Sequence, residues 1–228
     1  MKTTRKYPGY LQPSVTVDVT IFTVDNDELK VLVIEREQEP FAHLHALPGG
    51  FIKEKEATSQ AASRVLKEKA GVVHAYLEQL YTFDSPDRDP RGPVFSITYF
   101  ALVPYEHISL SPTAPGLQHP HLISVRNLPK LAFDHKEIIR YGVKRLQSKL
   151  EYTNAVYALL PEKFTLTQLQ KAYEAILARP LDKRNFRKKF FELDLVRATK
   201  ERTIGGSQRP AILYSFKSHS LRELKKFF

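Results

Sequence analysis

The stretch from Leu47 to Val72 admits few structures: Leu47-Pro48-Gly49-Gly50-Phe51, then Glu56, then Arg64 and Leu66, then Gly71-Val72. The double glycine permits backbone conformations and a close ligand approach that a side chain would block. Residues 59–70 read as a helix, and Gly71 is placed to end it in the left-handed cap position. Positions 65, 68 and 69 are three and four residues apart and therefore share one helical face. A strand at 28–36 runs into the loop ahead of the helix. The segment is thus predicted to fold as strand, glycine loop, helix and closing loop.

The rest of the chain supplies a sheet around it. Residues 14–24 alternate, with Val15, Val17, Val19 and Ile21 on one side, and read as a strand. Asp25-Asn26-Asp27 is turn chemistry, so this strand and 28–36 form a hairpin. Strands follow at 76–83, 94–103 and 122–125, with a polar, proline-rich loop at 84–93 and an irregular stretch at 107–120. A helix at 135–150 carries Ile138, Ile139, Val143, Leu146 and Leu150 on one stripe, with Asp134 as its N-cap.

A second unit begins near residue 151, giving domains 1–150 and 151–228. Thr165 and Gln168 have the spacing of a capping box ahead of a helix that ends at Leu177. Arg179-Pro180-Leu181 breaks it, and Asp182 caps a second helix reaching Leu193. Phe186, Phe190 and Leu193 face the core; Arg184 and Lys188 fall opposite, with Arg187 at the flank. Phe191 points outward, which is a misfit for an aromatic ring. Strands at 195–199 and 211–216 bracket a basic loop containing Gly205-Gly206. Two helices joined by a short turn, then a hairpin with a basic tip, describe a winged helix-turn-helix, whose second helix enters the major groove.

Charge separates the two units. Residues 1–150 hold 19 Lys/Arg against 17 Asp/Glu, whereas residues 151–228 hold 16 against 8. The positive field of the last third suits a polyanion partner. Lys183, Arg184, Asn185, Arg187 and Lys188 on the second helix, with Arg202, Ser207, Gln208 and Arg209 in the wing, are the candidate DNA contacts. There is no cysteine, which excludes disulfides, thiolate metal sites and a cysteine nucleophile. No apolar run is long enough to span a membrane, and the N-terminus lacks the apolar segment of a signal peptide, so a cytoplasmic protein is expected. No Gly-x-Ser-x-Gly elbow or phosphate-cradling Gly-Lys-Ser/Thr loop is present. The pairs His43/His45 and His119/His121 lack a cysteine or a tight carboxylate cluster and read as surface or packing residues.

The segment 50–72 resembles a Nudix box, the loop–helix–loop that Nudix hydrolases use to hold divalent metal against a nucleoside diphosphate. Gly50, Glu56, Arg64, Leu66, Gly71 and Val72 fall at the family's spacing. The resemblance implies that Glu56 and Arg64 form an ion pair bracing the loop on the helix. The family pattern reads Arg-Glu-x-x-Glu-Glu; here two of the three carboxylates are Val65 and Lys69. Magnesium wants several hard oxygen ligands. Val65 offers none, Lys69 repels the ion, and Glu68 alone makes a weak site.

A damaged Nudix box followed by a basic winged helix resembles the Nudix-related transcriptional regulators. Phe83 to Arg91, Phe133-Asp134-His135 and the run Leu181 to Lys188 carry that resemblance. It implies an α/β fold, a Nudix α/β/α sandwich followed by a winged helix. It further implies a homodimeric repressor, of NAD biosynthesis genes or of a sugar-responsive branch, with a palindromic double-stranded DNA operator and ADP-ribose as effector. No resident cofactor or metal is expected. Candidate ligand contacts are Arg36, Gly49, Gly50, Glu68, Lys69, Phe83 and Arg88. Lys69 would replace the lost metal as a fixed charge. Arg88 either meets phosphate or ribose, or pairs with Asp87 or Asp89 to hold its loop. Phe83 and Tyr99 are the candidate stacking rings for adenine. A working hydrolase of a nucleoside diphosphate is the competing class. An RNA-binding module is disfavoured because no aromatic strand of the required kind is evident.

Overall fold

In the computed structural model, residues 9–108, 110, 120–203 and 210–224 are described. The hairpin forms as expected: β1 (Ser14–Asp25) and β2 (Glu28–Glu35) pair antiparallel, with Asn26 and Asp27 both at positive φ in the turn. Two short strands, β3 (His45–Ala46) and β4 (Gly49–Phe51), follow, then helix α1 (Thr58–Ala70). Gly71 closes α1 at φ 65°, and its N–H donates to the Leu66 carbonyl. Strands β5 (Tyr76–Phe83), β6 (Val94–Leu102) and β7 (Pro120–Ser124) complete a seven-stranded sheet of order β3-β2-β1-β6-β5. Within it β4 pairs with β1 and β7 with β2. The β1–β6 pair is parallel, and it carries Asp18 of β1 up to the neighbourhood of Ser96.

Alternation along β1 assigns its two faces. Val17, Val19 and Ile21 pack with Ala61, Ala62, Val65 and Leu66 of α1. Phe22, on the opposite face, packs with Ile138, Ile139 and Leu146 of helix α2 (His135–Tyr152). The sheet therefore lies between two helical layers, the α/β/α sandwich. Asp134 occupies the N-cap position of α2 but makes no side-chain cap bond. Its carboxylate is taken by Arg88, which overrides the capping role expected from local sequence.

Helix α2 continues past residue 150 to Tyr152, and the same apolar core extends into the last third of the chain. Helix α3 (Leu166–Leu177) starts with its capping box intact: Gln168 N–H donates to Thr165 Oγ1 at 3.1 Å, and Thr165 N–H donates to Gln168 Oε1 at 2.8 Å. Helix α4 (Lys183–Glu192) is capped by Asp182, which accepts from Asn185 N–H at 2.8 Å. Strands β8 (Val196–Arg202) and β9 (Ile212–Phe216) form the wing. Phe164, Tyr173, Phe186, Phe190 and Phe216 fill its core, with Phe186 and Phe190 stacked at 5.6 Å. Phe191 is exposed as expected, and its ring lies 6.1 Å from that of Tyr214 on the wing. The two units touch through Gln147 Nε2, which donates to the Ile176 carbonyl at 2.8 Å, and through the ion pair of Lys171 and Asp27 at 3.4 Å.

Candidate functional site

A cavity of about 170 Å³ opens where β1, β4, the end of α1, the 84–93 loop and the start of α2 converge. Gly49 and Gly50 form part of its wall. Gly49 is glycine because a Cβ would lie 2.0 Å from Asp18 Oδ1 and 3.0 Å from the Val17 carbonyl. At Gly49 the space a side chain would need is taken by the Asp18 carboxylate of the neighbouring strand. A Cβ at Gly50 would meet open space.

Arg64 Nε and Nη2 donate to the two carboxylate oxygens of Glu56 at 2.7 and 2.8 Å, and Arg64 also donates to the Phe51 carbonyl. The guanidinium of Arg64 and the Lys53 N–H hold the Glu56 carboxyl down to about 2. Glu56 and Arg64 thereby clamp the glycine loop onto α1, the structural role implied by the resemblance. Val65 is buried in the α1 core. Glu68 does not reach the cavity; it pairs with Arg64 at 3.4 Å and Lys53 at 4.0 Å. Lys69 does line the cavity and, among the described residues, has no ion-pair partner. Of the three positions where the resemblance places metal-binding carboxylates, one holds a carboxylate engaged by cations, one an apolar side chain and one a cation. Among the described residues no three His, Asp or Glu side chains gather as a metal group.

Arg36 also lines the cavity, but its Nε and Nη2 donate to the carbonyls of Pro40 and Gln38 at 2.9 and 3.1 Å. Burial, and then the nearby Arg91, lower its pKa. Sequence reasoning missed Arg91. It is held bidentate by Asp89 at 2.9 and 2.6 Å and lies over the rings of Phe133 and Phe51 at 5.6 and 5.8 Å. The Asp-Pro-Arg signal was in the motif, but nothing local in it indicates that rings 40 residues before and 42 residues after it would meet the guanidinium.

Arg88 is buried, and its partner is neither Asp87 nor Asp89. Its fork donates to Asp134 at 2.9 and 2.8 Å and sits 3.6 Å from Asp18. This guanidinium is an internal strut between the 84–93 loop, α2 and β1. Tyr99 is likewise unavailable for stacking: it is buried, with its hydroxyl 2.8 Å from Thr58 Oγ1. Phe83 borders a separate cavity on the α2 side. His43 is exposed near Glu35, and His45 packs edge-on against His121 at 5.1 Å; His119 lies outside the described residues.

His135 is buried at the base of the cavity. Its Nδ1 accepts from Leu47 N–H at 2.8 Å, so the ring proton sits on Nε2, which faces Asp18 Oδ1 at 3.8 Å. Burial pushes its pKa down, the Asp18 and Asp134 charges notwithstanding. Between the unfolded value, about 6.5, and this lower folded value, only the unfolded chain takes up the proton. The stability due to the neutral ring is full above the unfolded value and is lost as pH falls through that window. Urea titrations should show the parent losing up to about 1.4 kcal/mol per pH unit there relative to His135→Gln, whose amide oxygen can still accept from Leu47. Parallel pH slopes for the two proteins would contradict this assignment.

On the last third of the chain, Lys183, Arg184, Asn185 and Lys188 are exposed on α4 and Arg187 is half-buried. Arg202 is exposed at the end of β8 that leads into the wing loop, its Nη1 donating to the Pro210 carbonyl at 3.4 Å. Ser207, Gln208 and Arg209 lie outside the described residues.

Two family models match the chain: a NUDIX domain over residues 15–142 and an NrtR DNA-binding winged helix domain over residues 156–216. The chain is 37% identical, over 91% of its length and 83% of the relative's, to the ADPR responsive transcriptional repressor of Acinetobacter baylyi. It is also 40% identical to the ADP-ribose pyrophosphatase of Methanocaldococcus jannaschii, over 60% of this chain and 76% of that one. Shewanella oneidensis NrtR bound to a 27mer DNA superposes with a TM-score of 0.79 at 35% identity, covering 89% of this chain and 93% of that one. The NUDIX domain of the same protein, in complex with ADP ribose, gives 0.54 at 35% identity, covering 62% and 94%. No helix among the described residues is long and apolar enough to cross a membrane.

Proposed function

The chain belongs to the family of Nudix-domain regulators that carry an NrtR winged helix, and from that premise we propose that it is an ADP-ribose-responsive DNA-binding repressor, acting in the cytoplasm on NAD biosynthesis genes. In this reading residues 1–150 sense the ligand and residues 151–228 hold the operator. The observation that carries the proposal is Lys69, a cation without an ion-pair partner among the described residues, on the wall of the glycine-loop cavity. A diphosphate is retained there by Lys69, Arg91 and backbone donors of the loop, and no metal is held to activate water against it.

A symmetric homodimer presents two α4 helices about 34–36 Å apart, one DNA turn, to a palindromic site. ADP-ribose must then bind the DNA-incompetent arrangement better than the DNA-bound one. A mobility shift on a palindromic promoter fragment tests this: ADP-ribose is expected to release the DNA, and a complex indifferent to ADP-ribose would refute the reading. The second reading, a working hydrolase, is favoured by the likeness to an ADP-ribose pyrophosphatase. It predicts AMP release above roughly 1 per second with magnesium or manganese, whereas the repressor reading predicts negligible turnover.

The exposed faces of α4 supply the DNA test. Arg184→Ala and Lys188→Ala should each weaken operator binding and leave the fold and ADP-ribose binding intact. A guanine contact costs about 1–3 kcal/mol and relaxes one base position. A phosphate contact weakens all sequences alike and flattens the salt dependence. Unchanged affinity in both variants would mean that α4 is not the recognition helix.

A further inference from the structure

A second cavity, of about 570 Å³, lies beside the first on the α2 side of the sheet, within the size range of small-molecule sites. Arg88 and Phe133 form the wall between them. The two differ in sign. The first exposes the cations Lys69 and Arg91, and its carboxylates Asp18 and Asp89 are held by arginines. Around the second stand four carboxylates, Asp84, Asp87, Asp134 and Glu137, against Arg88 alone, a formal −3 on a chain of +10. Arg88 is already engaged by Asp134 and Asp18. Asp84, Asp87 and Glu137 have no basic partner among the described residues.

The apolar lining is aromatic. Tyr81 of β5 and Tyr141 of α2 lie 5.0 Å apart, and Phe83 meets them edge-on at 5.5 and 5.9 Å. Phe41 and Phe133 pack at 4.9 Å on the other side. Tyr81 and Tyr141 remain 52% and 36% exposed, so these rings are open to solvent and not sealed in the core. Ring faces attract cations through their quadrupole, carboxylates add to that field, and both repel phosphate. A cavity that combines rings with unpaired carboxylates therefore selects a flat cation and disfavours the anion expected next door. We propose that this second cavity is a separate site for a planar organic cation, for which an N-substituted pyridinium serves as the probe. The proposal rests on the lining of this cavity and is independent of the effector's identity.

Ligand-observed NMR on the full chain, at mildly alkaline pH, tests it with 1-methylpyridinium and 4-methylpyridine, which share one shape but differ in charge. The cation is expected to bind about ten-fold more tightly than the neutral ring. Glu137→Gln and Tyr141→Leu, both at the surface, should each weaken the cation by about three- to ten-fold and leave ADP-ribose affinity unchanged. The cation and ADP-ribose should bind together. Equal affinity for the two rings, or cation binding indifferent to both substitutions, would overturn the proposal. So would displacement of the cation by ADP-ribose, which would make the cavity one end of the effector site.

Discussion

Arg88→Met should cost about 3–5 kcal/mol of folding stability, the usual penalty for removing one partner of a buried ion pair. The Arg88 side chain is 3% exposed and bridges Asp134 at 2.8 Å and Asp18 at 3.6 Å. Methionine fills much of the volume but leaves both carboxylates without their cation. In a protein of this size the loss corresponds to a fall in Tm of roughly 6–20 °C. Adding Asp134→Asn to Arg88→Met should recover part of it, because the pair is coupled. Arg88→Lys should fall between, since an ammonium cannot reproduce the two-pronged contact. A loss below about 1 kcal/mol in the single variant would mean that the strut is not built as described.

Lys69→Gln should weaken ADP-ribose binding by about ten- to a hundred-fold, the equivalent of one charge-assisted contact of 1.5–3 kcal/mol. Operator binding without ligand should be unaffected, since Lys69 lies at the end of α1 in the Nudix unit and the candidate DNA contacts lie on α4 and the wing. The variant should therefore stay on DNA at ADP-ribose concentrations that release the parent. Linkage adds a reciprocal check: operator DNA must weaken ADP-ribose binding to the parent by the factor that ADP-ribose weakens DNA binding. Calorimetry with equal ADP-ribose affinity in the presence and absence of operator would show two uncoupled domains. Arg36→Ala, by contrast, should perturb the 36–43 loop first, because its guanidinium is already bonded to the Gln38 and Pro40 carbonyls.

What the amino-acid sequence determined by itself was local. The left-handed end of α1 at Gly71, the Thr165 capping box, the Asp182 cap and the Asn26-Asp27 turn each depend on residues within five of one another. Periodicity alone placed the strand and helix faces, because burial follows the two repeat lengths. The spacing of Glu56 and Arg64, read through the family likeness, anticipated the clamp later seen at 2.7 and 2.8 Å. The tertiary structure decided which charges are free. Arg88 and Asp134 are 46 positions apart, and Asp18 and Ser96 are 78 apart. Their meeting depends on β1 lying parallel to β6 and on α2 starting at the same end of the sheet. That meeting engaged the Arg88 guanidinium with two carboxylates at the cavity wall and took Asp134 from its cap, while the pairing of β1 with β4 gave Gly49 its reason. It also brought Arg91 over the rings of Phe51 and Phe133. The preferences of a short segment fix its backbone, whereas the pairing of a charge depends on whatever the sheet order sets beside it.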